Sequence, residues 1–291
     1  MPSDAPVALV TGASSGIGEA CASQLVHDGF RVYGTSRQAS FRPEGFEPLV
    51  MDVTQDASVQ SGVDAVLLRH HRIDCIVNCA GYGLGGSIED TSMDEARRQF
   101  DANLFGVLRV CRAVLPAMRR QGSGLIVNVS SLGGLFGLPF QGLYSASKFA
   151  LEGLTESLRM ETRSFGIRVV LVEPGDVRTG ITRNRVVASG ARNGSPYADA
   201  FQRALTVVEK EEAKGVAAVN IAALVGRIAR APRPRLRYTA GHPGQRLTAL
   251  LKRALPWWMC ERMLMSFYGV TASGRLRVAG PDPHVDRTPP Q

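Results

Sequence analysis

Two polar side chains four positions apart, Tyr144 and Lys148, lie in the stretch LYSASKFAL. Read as helix, that spacing puts both on one face. A free tyrosine has a pKa of about 10 and exchanges protons poorly near neutral pH. A fixed ammonium beside it favours the phenolate and lowers that pKa. The phenol then becomes a usable acid for a developing alkoxide, or a base for an alcohol. Ser131 lies thirteen positions earlier and could hydrogen-bond the same substrate oxygen. Such a pair is by itself a frequent accident on a helix surface. Its meaning depends on what the rest of the chain places beside it.

The elements that must position this pair are legible as an alternation. PVALVTG is a short apolar run ending in a turn, which predicts a buried strand at 6–10. TGASSGIG follows at 11–18. Its glycines, Gly12, Gly16 and Gly18, let the backbone turn sharply and approach a ligand closely. The free N–H groups of the next helix would then face an anion such as a pyrophosphate. The spacing is not G-x-G-x-x-G. RVYGTSR reads as a second strand and PLVMDV as a third. A helix follows at 56–70, then a fourth strand, DCIVNCAG, and one long helix over 94–119. GLIVNVSS is a fifth strand, Tyr144 to Gly166 a helix, IRVVLVEPG a sixth strand and PRLRYTAG a seventh, at an edge.

Strands alternating with helices predict the α/β class: a single Rossmann-like doubly wound parallel sheet of about seven strands, helices on both faces, and a small C-terminal helical extension. Ligands of such sheets bind beyond the carboxyl ends of the strands, and the motifs fall there. Residues 1–271 read as one domain. Its polar insertion at 180–215 is expected to be a substrate lid. Helices are expected at 197–213 and 215–230, and two short ones over 244–268, broken at Pro256. The Gly-, Pro- and Arg-rich residues 272–291 read as a disordered tail.

At the end of the second strand an NAD-selective fold carries an acid that holds the ribose 2′-hydroxyl. This chain has Ser36 and Arg37 there. A carboxylate repels a 2′-phosphate, whereas an arginine fork binds one, so the expected cofactor is NADP(H).

The bulk composition narrows the class. The chain has 291 residues and a formal net charge of +8, and only four of its 34 basic residues are lysine. The arginines are scattered rather than gathered on one face or tail, which argues against nucleic acid as a partner. Five cysteines, Cys21, Cys75, Cys79, Cys111 and Cys260, form no zinc-type spacing, and the histidines form no constellation, so no metal is expected. The N-terminus lacks the pattern of a signal peptide and no apolar run reaches spanning length. A reducing, cytoplasmic setting fits. The aromatic segment PWWMCERMLMSFYGV is expected to pack on the domain or a partner subunit, with peripheral contact to a membrane interface as the other reading.

Taken together, the motifs resemble the short-chain dehydrogenase/reductase family. The resemblance runs from residue 7 to about 180. It rests on Thr11 to Gly18, Asp52-Val53, Asn78-Cys79-Ala80-Gly81, Asn103, Ser131, Tyr144, Lys148, Pro174-Gly175 and Thr179, in the family's order. Cys79 departs from it, standing where many relatives have a second asparagine. The resemblance implies that Ser14, Ser15 and Ile17 line the phosphates and the nicotinamide side. Asp52 and Val53 would contact adenine, and Asn78 and Ala80 would lie along the adenosine ribose. It further implies that Ser131 orients the carbonyl oxygen and Tyr144 transfers its proton. Lys148 would hold the nicotinamide ribose and tune Tyr144, and Asn103 would support a water relay to Lys148. Val177 and Thr179 would anchor the carboxamide. A homodimer or homotetramer through the helices at 94–119 and 144–165 is implied as well.

The stretch around Tyr144 looks most like the branch of 17-beta-hydroxysteroid and retinol dehydrogenases. Leu132, Leu135, Phe136, Leu138, Pro139 and Phe140 would give the site an apolar wall, although core packing explains half of them equally well. The resulting expectation is an oxidoreductase interconverting a small lipophilic ketone or aldehyde and its alcohol, of steroid, retinoid or fatty type. Two alternatives stay open: a 3-ketoacyl reductase of acyl-carrier type, and a catalytically silent NADP-binding regulatory protein.

Overall fold

The computed structural model describes residues 5–180, 184–192, 194–252 and 254–270. The expected tail at 272–291 and part of the expected lid lie outside the described residues. Seven parallel strands form the central sheet: β1 (Val7–Thr11), β2 (Arg31–Ser36), β3 (Glu47–Val50), β4 (Cys75–Asn78), β6 (Gly124–Val129), β7 (Ile167–Pro174) and β11 (Arg237–Ala240). Their order across the sheet is β11-β7-β6-β4-β1-β2-β3. The order reverses beside β1, so a crevice opens there beyond the strand ends. The inner strands β1, β4 and β6 are buried along their whole length, which explains why they read as unbroken apolar runs.

Helices cover both faces. On one lie α1 (Gly16–His27) and α7 (Ala218–Arg230), packing Leu25, Ile221 and Val225 on the sheet. On the other lie α2 (Asp56–His70), α4 (Gly106–Gln121) and α5 (Gly142–Thr162), with Val63, Val114 and Leu151 in the core. The long helix expected over 94–119 is in fact α3 (Met93–Phe100), a π-helical turn at Asp101–Phe105, and α4. The register changes at that turn, and Asn103 sits inside it. Wide turns of this kind gather at functional sites.

The insertion after β7 is better anchored than its polar composition suggests. Its strand β9 (Val186–Val187) pairs with β5 (Leu84–Gly85), and β10 (Val216–Ala217) pairs with β8 (Val177–Arg178). The Ser189 amide donates to Glu95 on α3 at 2.9 Å. α6 (Ala198–Lys214) follows, and the described residues end with α8 (Pro243–Leu251) and α9 (Trp257–Phe267) on either side of Pro256.

Candidate active site

The turn after β1 opens the crevice. Gly12 has φ +66°, and a Cβ there would stand 2.8 Å from the Ala80 Cα. Gly16 has φ +62°, and its Cβ would meet Thr179 at 3.2 Å. At Gly18 a Cβ would strike the Gly12 carbonyl oxygen at 2.2 Å, so α1 starts tight against the turn. Thr11 locks the neighbouring loop: its Oγ1 accepts from the Cys79 and Ala80 amides at 3.0 and 3.1 Å. The resulting groove, of about 900 Å³, is lined by Gly12, Ser14, Ser15, Gly16, Ile17 and Gly18 on one side. Ser36, Arg37, Asp52, Val53, Ala80 and Gly81 complete it. Ser15, ahead of α1, makes no side-chain cap and lines the groove. A bare glycine cradle before a helix N-terminus, ending at an arginine, fits a dinucleotide.

Two expected cofactor residues also carry structural hydrogen bonds. Asn78 points away from the groove. Its Nδ2 donates at 2.8 Å to Asn128, whose own amide donates to Thr155 on α5, a buried chain that joins β4, β6 and α5. The Asn78 side chain thus braces the sheet against α5. Asp52 does line the groove, but its Oδ1 accepts from the Thr54 amide and hydroxyl at 2.9 and 2.8 Å, which shapes the loop after β3.

A second cavity, of about 1080 Å³, adjoins the first, and Ile17 and Thr179 line both. Tyr144 and Ser131 face into it, along with Pro174, Gly175 and Val177. Ser131 hydrogen-bonds the Tyr144 hydroxyl, and its Oγ also accepts from the Gly133 amide at 3.0 Å. Tyr144 is partly buried, and burial pushes its pKa above the usual 10 despite the Ser131 hydrogen bond. The lowering expected from Lys148 is thus reversed. The Lys148 Nζ lies 6.0 Å from the Tyr144 ring and donates at 2.9 Å to the Val129 carbonyl. Burial pushes the lysine down to about 8, partly offset by Cys79 and Glu152. Glu152, one turn further along α5, is itself pushed up to about 7 by burial. Desolvation outweighs the attraction between the two groups on this face.

Asn103 is fully buried behind the pair. Its Oδ1 accepts from the Tyr82 amide, and its Nδ2 donates to the Tyr82 carbonyl, all at 3.0 Å. The same Nδ2 donates to Ser147 at 3.2 Å, and Ser147 donates to the Tyr144 carbonyl at 2.7 Å. Asn103 therefore fixes both the loop beside the groove and the first turn of α5.

The cavity walls divide the apolar candidates. Leu132, Phe136 and Leu138 line it, whereas Phe140 packs against Phe201 with ring centroids 5.8 Å apart. Sequence reasoning missed the remaining wall. Leu255, Cys260, Met263, Leu264 and Phe267 of the C-terminal segment close the outer side. It also missed the Arg185–Glu212 ion pair, nearly buried in the same cavity, and Arg98 in the groove. None of these stands in a motif, and only the tertiary fold brings them in.

A doubly wound parallel sheet, with a glycine cradle at its switch point and a serine–tyrosine pair over a buried lysine, defines the class of nucleotide-dependent oxidoreductases. The model of the family described as short chain dehydrogenase matches residues 6–189. The chain belongs to the short-chain dehydrogenase/reductase family. It is 42% identical over 264 residues to 3-ketodihydrosphingosine reductase of Bacteroides thetaiotaomicron, covering 91% of this chain and 98% of that protein. It is 35% identical over 261 residues to 17-beta-hydroxysteroid dehydrogenase type 1 of Mus musculus, covering 81% and 73%. A solved short-chain dehydrogenase from Streptomyces avermitilis superposes with a TM-score of 0.76 at 32% identity, covering 92% of this chain and 98% of that one.

Proposed function

We propose that the protein is an NADP(H)-dependent oxidoreductase that interconverts a long, lipophilic ketone and its alcohol. The observation that carries this reading is the meeting of the two cavities: a groove ending at Arg37 and an apolar chamber with Tyr144 and Ser131 at its inner end. The similarity to 3-ketodihydrosphingosine reductase makes a 3-keto lipid the first substrate to try.

Ser14, Ser15 and Gly16 would hold the cofactor's phosphates, and Arg37 the 2′-phosphate, by charge-assisted hydrogen bonds. A nicotinamide held there would supply or accept the hydride. Ser131 holds the substrate oxygen beside the Tyr144 hydroxyl. Tyr144, kept protonated by burial, donates its proton to the oxygen as the carbonyl is reduced, and recovers it from the alcohol in the reverse direction. Lys148 stabilises the phenolate so formed. The apolar walls hold the substrate chain and exclude water. Exposed Phe105, Met160 and Phe165 around α4 and α5 support a homo-oligomer through those helices.

The test of the cofactor assignment is kcat/KM for NADPH and NADH with a panel of lipophilic ketones, in wild type and Arg37→Asp. Wild type should favour NADPH, and the variant should lose NADPH activity far more than NADH activity. Equal kcat/KM for the two cofactors in wild type would sink the role given to Arg37.

A further inference from the structure

The chain has two tryptophans, Trp257 and Trp258, side by side at the start of α9. They are 55% and 58% exposed. Leu247 on α8 is 54% exposed, whereas the half-exposed Met263 and Phe267 of α9 border the cavity described above. The inner side of α9 is occupied: Cys260 is buried, and Leu264 packs on the cluster formed by Ala204, Val208 and Tyr268. This helix is therefore apolar toward the domain and again toward solvent. Among the exposed apolar side chains stand the exposed cations Arg246 and Arg262. Against them stands one exposed carboxylate, Glu261, so the described exposed charges of this face sum to +1, while Lys252 turns inward over the Phe136 and Phe149 rings.

We propose that the outer face of α8 and α9 docks on an anionic lipid bilayer, with Trp257 and Trp258 at the level of the headgroups. Amphipathic helices with aromatic and basic side chains lie in that interface, and tryptophan suits it because its ring is apolar and its N–H is not. Each cation near an anionic leaflet adds about 1 kcal/mol. Charge argues against a second copy of the chain as occupant, since each copy carries a net charge of +8 and an anionic surface complements it. The contact is peripheral, since no helix among the described residues is long and apolar enough to cross a membrane. The same helix that carries the tryptophans walls the cavity through Cys260, Met263 and Leu264. A lipophilic substrate can thus pass from the bilayer along α9 to Tyr144. The docking rests on the patch alone, whereas this delivery step rests on the function proposed above.

The two tryptophans are the only ones in the chain, so their fluorescence reports the patch directly. Full-length protein is mixed with vesicles of phosphatidylcholine alone or with added phosphatidylglycerol, without substrate. The anionic vesicles should shift the emission to shorter wavelength and sediment the protein, and high salt should reverse both. Replacing Arg246 by Gln should weaken partitioning about fivefold. The double variant Trp257→Ser, Trp258→Ser should stay in the supernatant while still reducing a short, water-soluble ketone. Unchanged emission with the protein left in the supernatant overturns the proposal. So does an emission shift that follows protein concentration without lipid, with a dimer lost in the double variant. Because docking is read without turnover, failure of the proposed activity leaves this result independent.

Discussion

Lys148 is a cation kept where water is scarce, and its proton is correspondingly loosely held. Its pKa falls from 10.5 to about 8, so between those values the unfolded chain binds a proton that the folded chain does not. Stability therefore rises with pH through that window, and the gain, up to about 3 kcal/mol over the full shift, disappears with the amine. Chemical denaturation at pH 7.5 and pH 10 should show wild type gaining on Lys148→Met as pH rises, and the variant should lose activity at both. That Ser131, Tyr144 and Lys148 lie together was expected through the family resemblance, since the spacing of the pair alone is a frequent accident. The direction of the tyrosine's pKa was not legible, because desolvation is set by neighbours that spacing does not reveal. Arg185 and Glu212 were invisible for the same reason: each is an ordinary charged residue until the fold seats the pair in the cavity.

At the scale of elements, the strands were legible from their apolar runs, and the helix at 56–70 was located at its observed bounds. The break between α3 and α4 was not, since the shift of register at the π-turn follows a segment, Met93–Phe100, with too few apolar residues to mark it. That turn places Asn103, whose removal leaves the part-buried Tyr82 amide without its partner, while the Tyr82 carbonyl keeps Gln99. Such a group costs about 1–3 kcal/mol. Asn103→Ala should lower the denaturation midpoint accordingly and reduce kcat, because the first turn of α5 loses its brace through Ser147. The cradle is equally exacting. Gly12→Ala combines a left-handed φ with a backbone contact at 2.8 Å. It should weaken NADPH binding in a fluorescence titration by at least tenfold, well beyond the effect of alanine at the open, positive-φ Gly29.

At the scale of the whole molecule, the sheet brings two cavities together at one crevice, and the C-terminal helices close the outer one. The first half of that arrangement follows from strand order. The second was hidden, because the aromatic segment at 256–270 carries the same pattern whether it packs on the domain, on a subunit or on a membrane. With α9 as a wall, the chamber is about 1080 Å³ and mostly apolar, and longer ketone chains should bind more tightly. The most direct test of the account is NADPH oxidation by wild type and Tyr144→Phe across 3-keto lipids of increasing chain length, with NADPH binding measured separately. The account predicts turnover by wild type, KM falling as the chain lengthens, and a loss of about 10²–10⁴-fold in kcat for the variant at unchanged NADPH affinity. Equal turnover by the two proteins, or none by either on any carbonyl while both bind NADPH, would contradict it.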